Sequence, residues 1–83
     1  MIILKEQKFE KAIKHIKDKS LKEKIKKQIK KILENPEIGD FLSYDRKGER
    51  KIYIPPFRLI YKHDKEKEAI ILINFEHRSK VYK

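Results

Sequence analysis

This sequence has no cysteine and no tryptophan, only two glycines and three prolines, and far fewer acidic residues than basic ones. The missing cysteine excludes a disulfide framework, a thiol nucleophile and a cysteine-based zinc site, and leaves the redox compartment open. Long apolar runs are missing too. The longest, Ala69 to Ile73, is well short of the roughly 20 residues needed to cross a bilayer. Met1-Ile2-Ile3-Leu4 is too brief for the apolar part of a signal peptide. These absences predict a cytoplasmic protein with no membrane partner. There is no phosphate loop, no Ser-His-Asp order and no metal-binding helix motif. His15, His63 and His77 are too far apart in sequence to form a ligand group. Neither a metal nor a cofactor is expected.

What is present is charge. Lys and Arg total 23 against 13 Asp and Glu, a formal net charge of +10. Such an excess points to a polyanionic partner. The high Lys, Glu and Ile content with few Gln, Ser and Thr is also a thermophile-like bias, in which much of the charge is solvated surface. The distribution is uneven. Residues 1–35 hold 12 Lys and 5 acids, whereas residues 36–83 hold 11 Lys or Arg and 8 acids. All four arginines, at 46, 50, 58 and 78, lie in the second part. Arginine suits bidentate phosphate contacts, and lysine acts as a flexible point charge.

Eighty-three residues make one domain, spanning 1–83. Ile2-Ile3-Leu4 reads as a short buried strand. Phe9, Ala12, Ile13 and Ile16 recur at helical spacing, predicting a helix from about Lys5 to Lys17. Ser20, with Glu23 three residues on, forms a capping box for a second helix. That helix carries Leu21, Ile25, Ile29, Ile32 and Leu33 on one stripe and ends before Asn35-Pro36. The short link makes the pair a helical hairpin. Residues 35–48 read as a loop anchored by Ile38, Phe41 and Leu42. Beyond it the period drops to two. Ile52 and Ile54 alternate with Lys51 and Tyr53, marking a half-buried strand. Pro55-Pro56 ends it, Phe57 to Tyr61 is the next strand, and His63 to Glu66 is its turn. Ala69 to Phe75 is the central third strand of a meander. Grouped helices on one face of a mainly antiparallel sheet make an α+β domain.

Strand direction then brings functional residue types together. In a three-strand meander the first strand stops, the second starts and the third stops at the same end. Of the cationic and aromatic set Arg50, Lys51, Tyr53, Arg58, His77, Arg78 and Tyr82, the residues Tyr53, Arg58, His77 and Arg78 should therefore cluster there. Such a set suits RNA cleavage, in which the ribose 2′-OH attacks the adjacent phosphorus. A base removes the proton, an acid protonates the 5′-oxygen and cations stabilise the added negative charge. Histidine is the best acid or base at neutral pH. Arginine is the better stabiliser, and tyrosine can stack on an unstacked base. The blander alternatives remain open: solvent-facing Arg50 and Lys51, Arg58 paired with a carboxylate of the fold, an exposed His77, and Tyr82 packing the C-terminus.

Three segments carry a resemblance: Arg50-Lys51-Ile52-Tyr53-Ile54, Phe57-Arg58-Leu59-Ile60-Tyr61 and His77-Arg78-Ser79-Lys80-Val81-Tyr82. With the order of elements, they resemble the RelE/ParE superfamily of toxin–antitoxin toxins, RelE-like branch, over essentially the whole chain. The resemblance implies a small antiparallel sheet flanked by two N-terminal helices. It also implies metal-independent mRNA cleavage in the ribosomal A site, so that ribosome and mRNA are partners, and inhibition by a wrapping RelB-like antitoxin. By position, Lys51 matches a base or charge stabiliser, and Arg58 the arginine at the scissile phosphate. His77 matches a catalytic histidine of several relatives. Arg78 belongs to a cationic C-terminal stretch, and Tyr82 matches the base-stacking tyrosine. The sequence departs from the pattern at Tyr53, where many relatives have a second lysine, and at Glu76, where some have an arginine acting as general acid. A C-terminal helix seen in some relatives is expected to be short or absent. Members of the ParE branch share the fold but poison DNA gyrase without cleaving a bond.

Overall fold

The computed structural model describes residues 1–42 and 48–78. The chain runs β1 (Ile2–Lys5), α1 (Gln7–Lys14), α2 (Lys19–Glu34), β2 (Asp40–Phe41), β3 (Glu49–Ile54), β4 (Phe57–Asp64) and β5 (Ala69–His77). The strands form one sheet in the order β1-β5-β4-β3-β2. All neighbouring pairs are antiparallel except β1 with β5, which is parallel. This is the α+β arrangement expected, with one more strand.

The helices form because their apolar residues return on one side, and that side is what the sheet covers. Phe9 of α1 and Ile25 and Ile32 of α2 join Ile54, Leu59, Tyr61, Ile70, Leu72 and Phe75 in the core. Ile32, Leu59, Ile70 and Leu72 are fully buried. Each such side chain contributes roughly 1.5–3 kcal/mol relative to exposure. On β3 the helix-facing Ile52 and Ile54 alternate with Lys51 and Tyr53, as read; on β4 Leu59 and Tyr61 face the helices, and Arg58 and Ile60 of the other face are buried as well. On β5 the apolar residues are contiguous, and a register shift resolves them. Ile60 pairs with Asn74 but Tyr61 pairs with Leu72, leaving Ile73 as the extra residue of a bulge. The bulge reverses parity, so Ile70 and Leu72 before it and Phe75 after it all face the helices.

Several expectations are corrected. Helix α1 is shorter than residues 5–17. Ser20 is not the cap of α2: Asp18 is, its carboxylate accepting from the Ser20 and Leu21 amides at 2.8 and 3.3 Å. Both residues cap well, but the acid two residues earlier also meets the positive end of the helix dipole. β1 is a strand, but an exposed edge one, with Ile2 58% and Leu4 43% accessible. The 35–48 loop contains β2, which pairs Asp40 with Lys51 and Phe41 with Arg50. Phe41 and Ile38 are exposed and do not anchor it. The anchor is Tyr61, whose buried hydroxyl donates to Pro36 O at 2.8 Å and accepts from Gly39 N at 2.9 Å. Only glycine fits at 39, since a Cβ there would lie 2.8 Å from both Lys51 O and the Tyr61 ring. β4 extends through His63 to Asp64, so the turn follows later, around residues 65–68. The middle strand of the sheet is β4, because β1 covers the far side of β5.

Candidate functional site

The register decides which of the candidate residues share a surface. Tyr53 pairs with Arg58, and Arg58 with Glu76. Lys51 pairs with Ile60, and Ile60 with Asn74. Cross-strand partners point the same way, so these six residues form two adjacent rows on the face away from the helices. Lys51 and Arg58 are diagonal neighbours there. The Lys51 ammonium lies 5.5 Å from the centre of the Tyr53 ring, within cation–π range. Tyr53 is 44% exposed.

Arg58 is the unusual member. It is 3% exposed, yet it carries a permanent charge. Its Nη2 meets Glu76 Oε1 at 3.4 Å, long for a charge-assisted hydrogen bond. Among the described residues its Nε is buried with no hydrogen-bond partner. Glu76 is itself oriented: Oε2 accepts from Asn74 Nδ2 at 3.1 Å, while Asn74 Oδ1 accepts from the Phe75 amide at 2.9 Å. Among the described residues the guanidinium is thus held from one side only, with Nε unspent.

The other candidates divide. His77 pairs with Phe57, and both lie on the helix side, His77 set edge-on to the Phe57 ring at 5.4 Å. It thus shares the end of the sheet with Tyr53 and Arg58, as strand direction requires, but occupies the opposite face. The two faces meet at one place. Pairing of β1 ends at Leu72, so β5 from Ile73 onward has no neighbouring strand on that side among the described residues. There a cavity of about 450 Å³ is lined by Asn74 and Glu76 from one face and by Phe57 and His77 from the other, with Lys8 and Ala12 of α1. Arg78 follows immediately, is exposed, and is tied to this end by its amide, which donates to Pro56 O at 2.8 Å. Tyr82 lies outside the described residues. Arg50 is on the helix side, pointed away from Lys51. Its Nη1 donates to Glu37 O at 3.2 Å and Gly39 O at 2.7 Å, and its guanidinium lies 3.8 Å over the Phe41 ring. It clamps the segment around β2.

Glu76 and Asn74 were not singled out from sequence as members of this face. The available signal was their alternation with Phe75 and His77, but the bulge at Ile73 hides the parity of β5. Among the described residues no cluster of His, Asp and Glu could hold a metal ion. No helix is long and apolar enough to cross a membrane.

A family model described as the ParE toxin of the type II toxin-antitoxin system, parDE, matches residues 3–82. Solved structures match as well. The isolated E. coli RelE toxin is 23% identical, with 98% of this chain and 89% of that chain covered at a TM-score of 0.79. A chain of the intact E. coli RelBE toxin-antitoxin complex is similar at 21% identity, 92% and 94% coverage and a TM-score of 0.77. A chain of the RelB-RelE antitoxin-toxin complex from Methanococcus jannaschii is 18% identical, with 95% and 94% coverage and a TM-score of 0.71. No curated protein matches by sequence.

Proposed function

The chain belongs to the ParE toxin family of type II toxin–antitoxin systems, and from that premise we propose that it is a cytoplasmic, ribosome-dependent mRNA endonuclease that arrests translation. The observation that supports this reading is the buried Arg58, its Nε unpartnered among the described residues, set in an outward face beside Lys51 and Tyr53. A fold has little reason to bury a half-satisfied cation there, whereas a phosphate-binding site does.

The proposed reaction is attack of the ribose 2′-oxygen on the neighbouring phosphorus. The O2′–P bond forms and the P–O5′ bond breaks, giving a 2′,3′-cyclic phosphate and a 5′-hydroxyl. Lys51 takes the 2′-OH proton or steadies the developing charge. Arg58 and Arg78 stabilise the charge on the phosphorane oxygens. His77 donates the proton to the leaving oxygen, reached around the uncovered end of β5, where the cavity joins Glu76 and His77. Tyr82 stacks on a base. A cognate RelB-like antitoxin covers the toxin until it is released.

A second reading has its own support. The matching model is that of ParE, and Arg58 faces a carboxylate where the nuclease branch would place a cation. This favours a non-nucleolytic inhibitor of DNA gyrase. The experiment runs two assays on the same protein: mapping of mRNA 5′ ends on programmed ribosomes, and gyrase supercoiling. New 5′ ends within the A-site codon, lost in His77→Ala and Arg58→Met, support the nuclease. Inhibited supercoiling with intact mRNA supports the other reading.

A further inference from the structure

A second cavity lies beside the outward face, between α2 and the end of β3. β2 pairs with β3 only at Arg50 and Lys51, so the outer edge of β3 from Ile52 to Ile54 has no neighbouring strand among the described residues. Helix α2 runs alongside that edge. Between them is a cavity of about 220 Å³ lined by Lys24, Lys27, Gln28, Tyr53, Ile54 and Pro55. Residues 24, 27 and 28 are three and four apart, so they share one stripe of the helix. Lys24 and Lys27 are exposed, and among the described residues neither makes an ion pair, unlike Lys26, which has Glu23 at 3.9 Å. Among the described residues no carboxylate lines the cavity.

The lining thus combines Tyr53, Ile54 and Pro55 with two cations and one amide. An aromatic ring beside lysines, with an amide able both to donate and to accept, is the combination that holds one nucleotide of a single strand. Tyr53 also sits next to Arg58 in the register, so the cavity continues the outward face. We infer that this groove is a nucleotide subsite for single-stranded RNA, adjacent to the one at Arg58. Tyr53 stacks on the base, Gln28 contacts its edge, and Lys24 and Lys27 take the flanking phosphates. The inference rests on the reading that the outward face works on RNA.

The probe is a 2′-O-methyl RNA hexamer, which this chemistry cannot cleave, titrated against the full chain by fluorescence anisotropy from 50 to 200 mM salt. Two lost phosphate contacts make the plot of log affinity against log salt shallower by about 1.4 for a single strand. Lys24→Gln/Lys27→Gln is expected to show that change, with a loss of at least about tenfold at 50 mM salt. Lys11→Gln/Lys14→Gln removes the same charge from exposed positions on α1 and is expected to keep the wild-type slope. Tyr53→Leu should weaken binding about tenfold without changing the slope. Equal slopes for the two lysine pairs overturn the inference, as does absence of hexamer binding by the wild type. Tighter binding of a glutamate-rich peptide than of the hexamer, lost in Lys24→Gln/Lys27→Gln, overturns the nucleic-acid assignment. The ribosome assay judges the nuclease reading separately, so the two failures are distinguishable.

Discussion

Whether Arg58 is kept for the fold or for a ligand can be decided by a double-mutant cycle with Glu76. The Arg58 side chain is 4% exposed and that of Glu76 20%, and the two meet at 3.4 Å. Glu76→Leu leaves a charged guanidinium buried without its counter-ion. Breaking a buried pair in this way typically costs 3–5 kcal/mol. The long contact and the partial exposure of Glu76 put the expected loss near the lower end, at about 3 kcal/mol. Arg58→Met is different. Glu76 is then left alone, but it keeps Asn74 and has access to water, so the expected loss is about 1 kcal/mol or less. Arg58→Met/Glu76→Leu fills both positions with apolar atoms and should return close to wild type. A domain of this size has about 4–12 kcal/mol of total stability, so these values are well separated. At about 4–8 °C per kcal/mol, Glu76→Leu should lower Tm by some 12–24 °C and Arg58→Met by under about 8 °C. Urea unfolding with constant m-value is the check. If Arg58→Met costs as much as Glu76→Leu, the pair is an ordinary structural one. The case for Arg58 as a retained anion site then fails.

Other predictions follow from the same geometry. Arg58→Met and His77→Ala should each abolish mRNA cleavage while far-UV circular dichroism stays native; cleavage at the wild-type rate by both would remove them from the reaction. Tyr61→Phe strips the Gly39 amide and the Pro36 carbonyl of their partner and should cost about 2–3 kcal/mol in urea unfolding. Burial raises the Tyr61 pKa above its ordinary value of 10.0, outweighing the Gly39 hydrogen bond and Arg50, which lower it. Its neutral form therefore contributes stability that is complete below about pH 10 and is lost as pH rises above it, a loss absent in Tyr61→Phe. Gly39→Ala should destabilise more than an exposed Gly→Ala change, because one clash is with backbone, Lys51 O, which cannot rotate away. Asp18→Ala should cost about 1 kcal/mol through the lost cap, while Ser20→Ala should cost less.

Much of this molecule follows from local pattern. The spacing of Phe9, Ala12 and Ile13, and of Ile25, Ile29 and Ile32, is enough to make two amphipathic helices. The alternation of Ile52 and Ile54 with Lys51 and Tyr53 is enough to orient β3. Strand direction alone brings Tyr53, Arg58, His77 and Arg78 to one end of the sheet. The three segments containing Lys51, Arg58 and His77 also carried the family resemblance. What local pattern does not contain is which face a residue takes within a contiguous apolar run. Ala69 to Ile73 reads the same at either parity, and only pairing with β4 shows that Ile73 bulges. That single extra residue turns Phe75 and His77 to the helices and Asn74 and Glu76 outward. Tertiary structure also decided the burial of Arg58, its carboxylate neighbour and the role of Arg50 as a clamp, because each depends on contacts between residues at least 11 positions apart. β2, too short to show any period, exists only because Tyr61 and Gly39 hold the chain against β3. The sequence by itself determined the elements, the strongly basic surface and the end of the sheet where chemistry gathers. Packing and register determined which of those side chains can touch the same ligand.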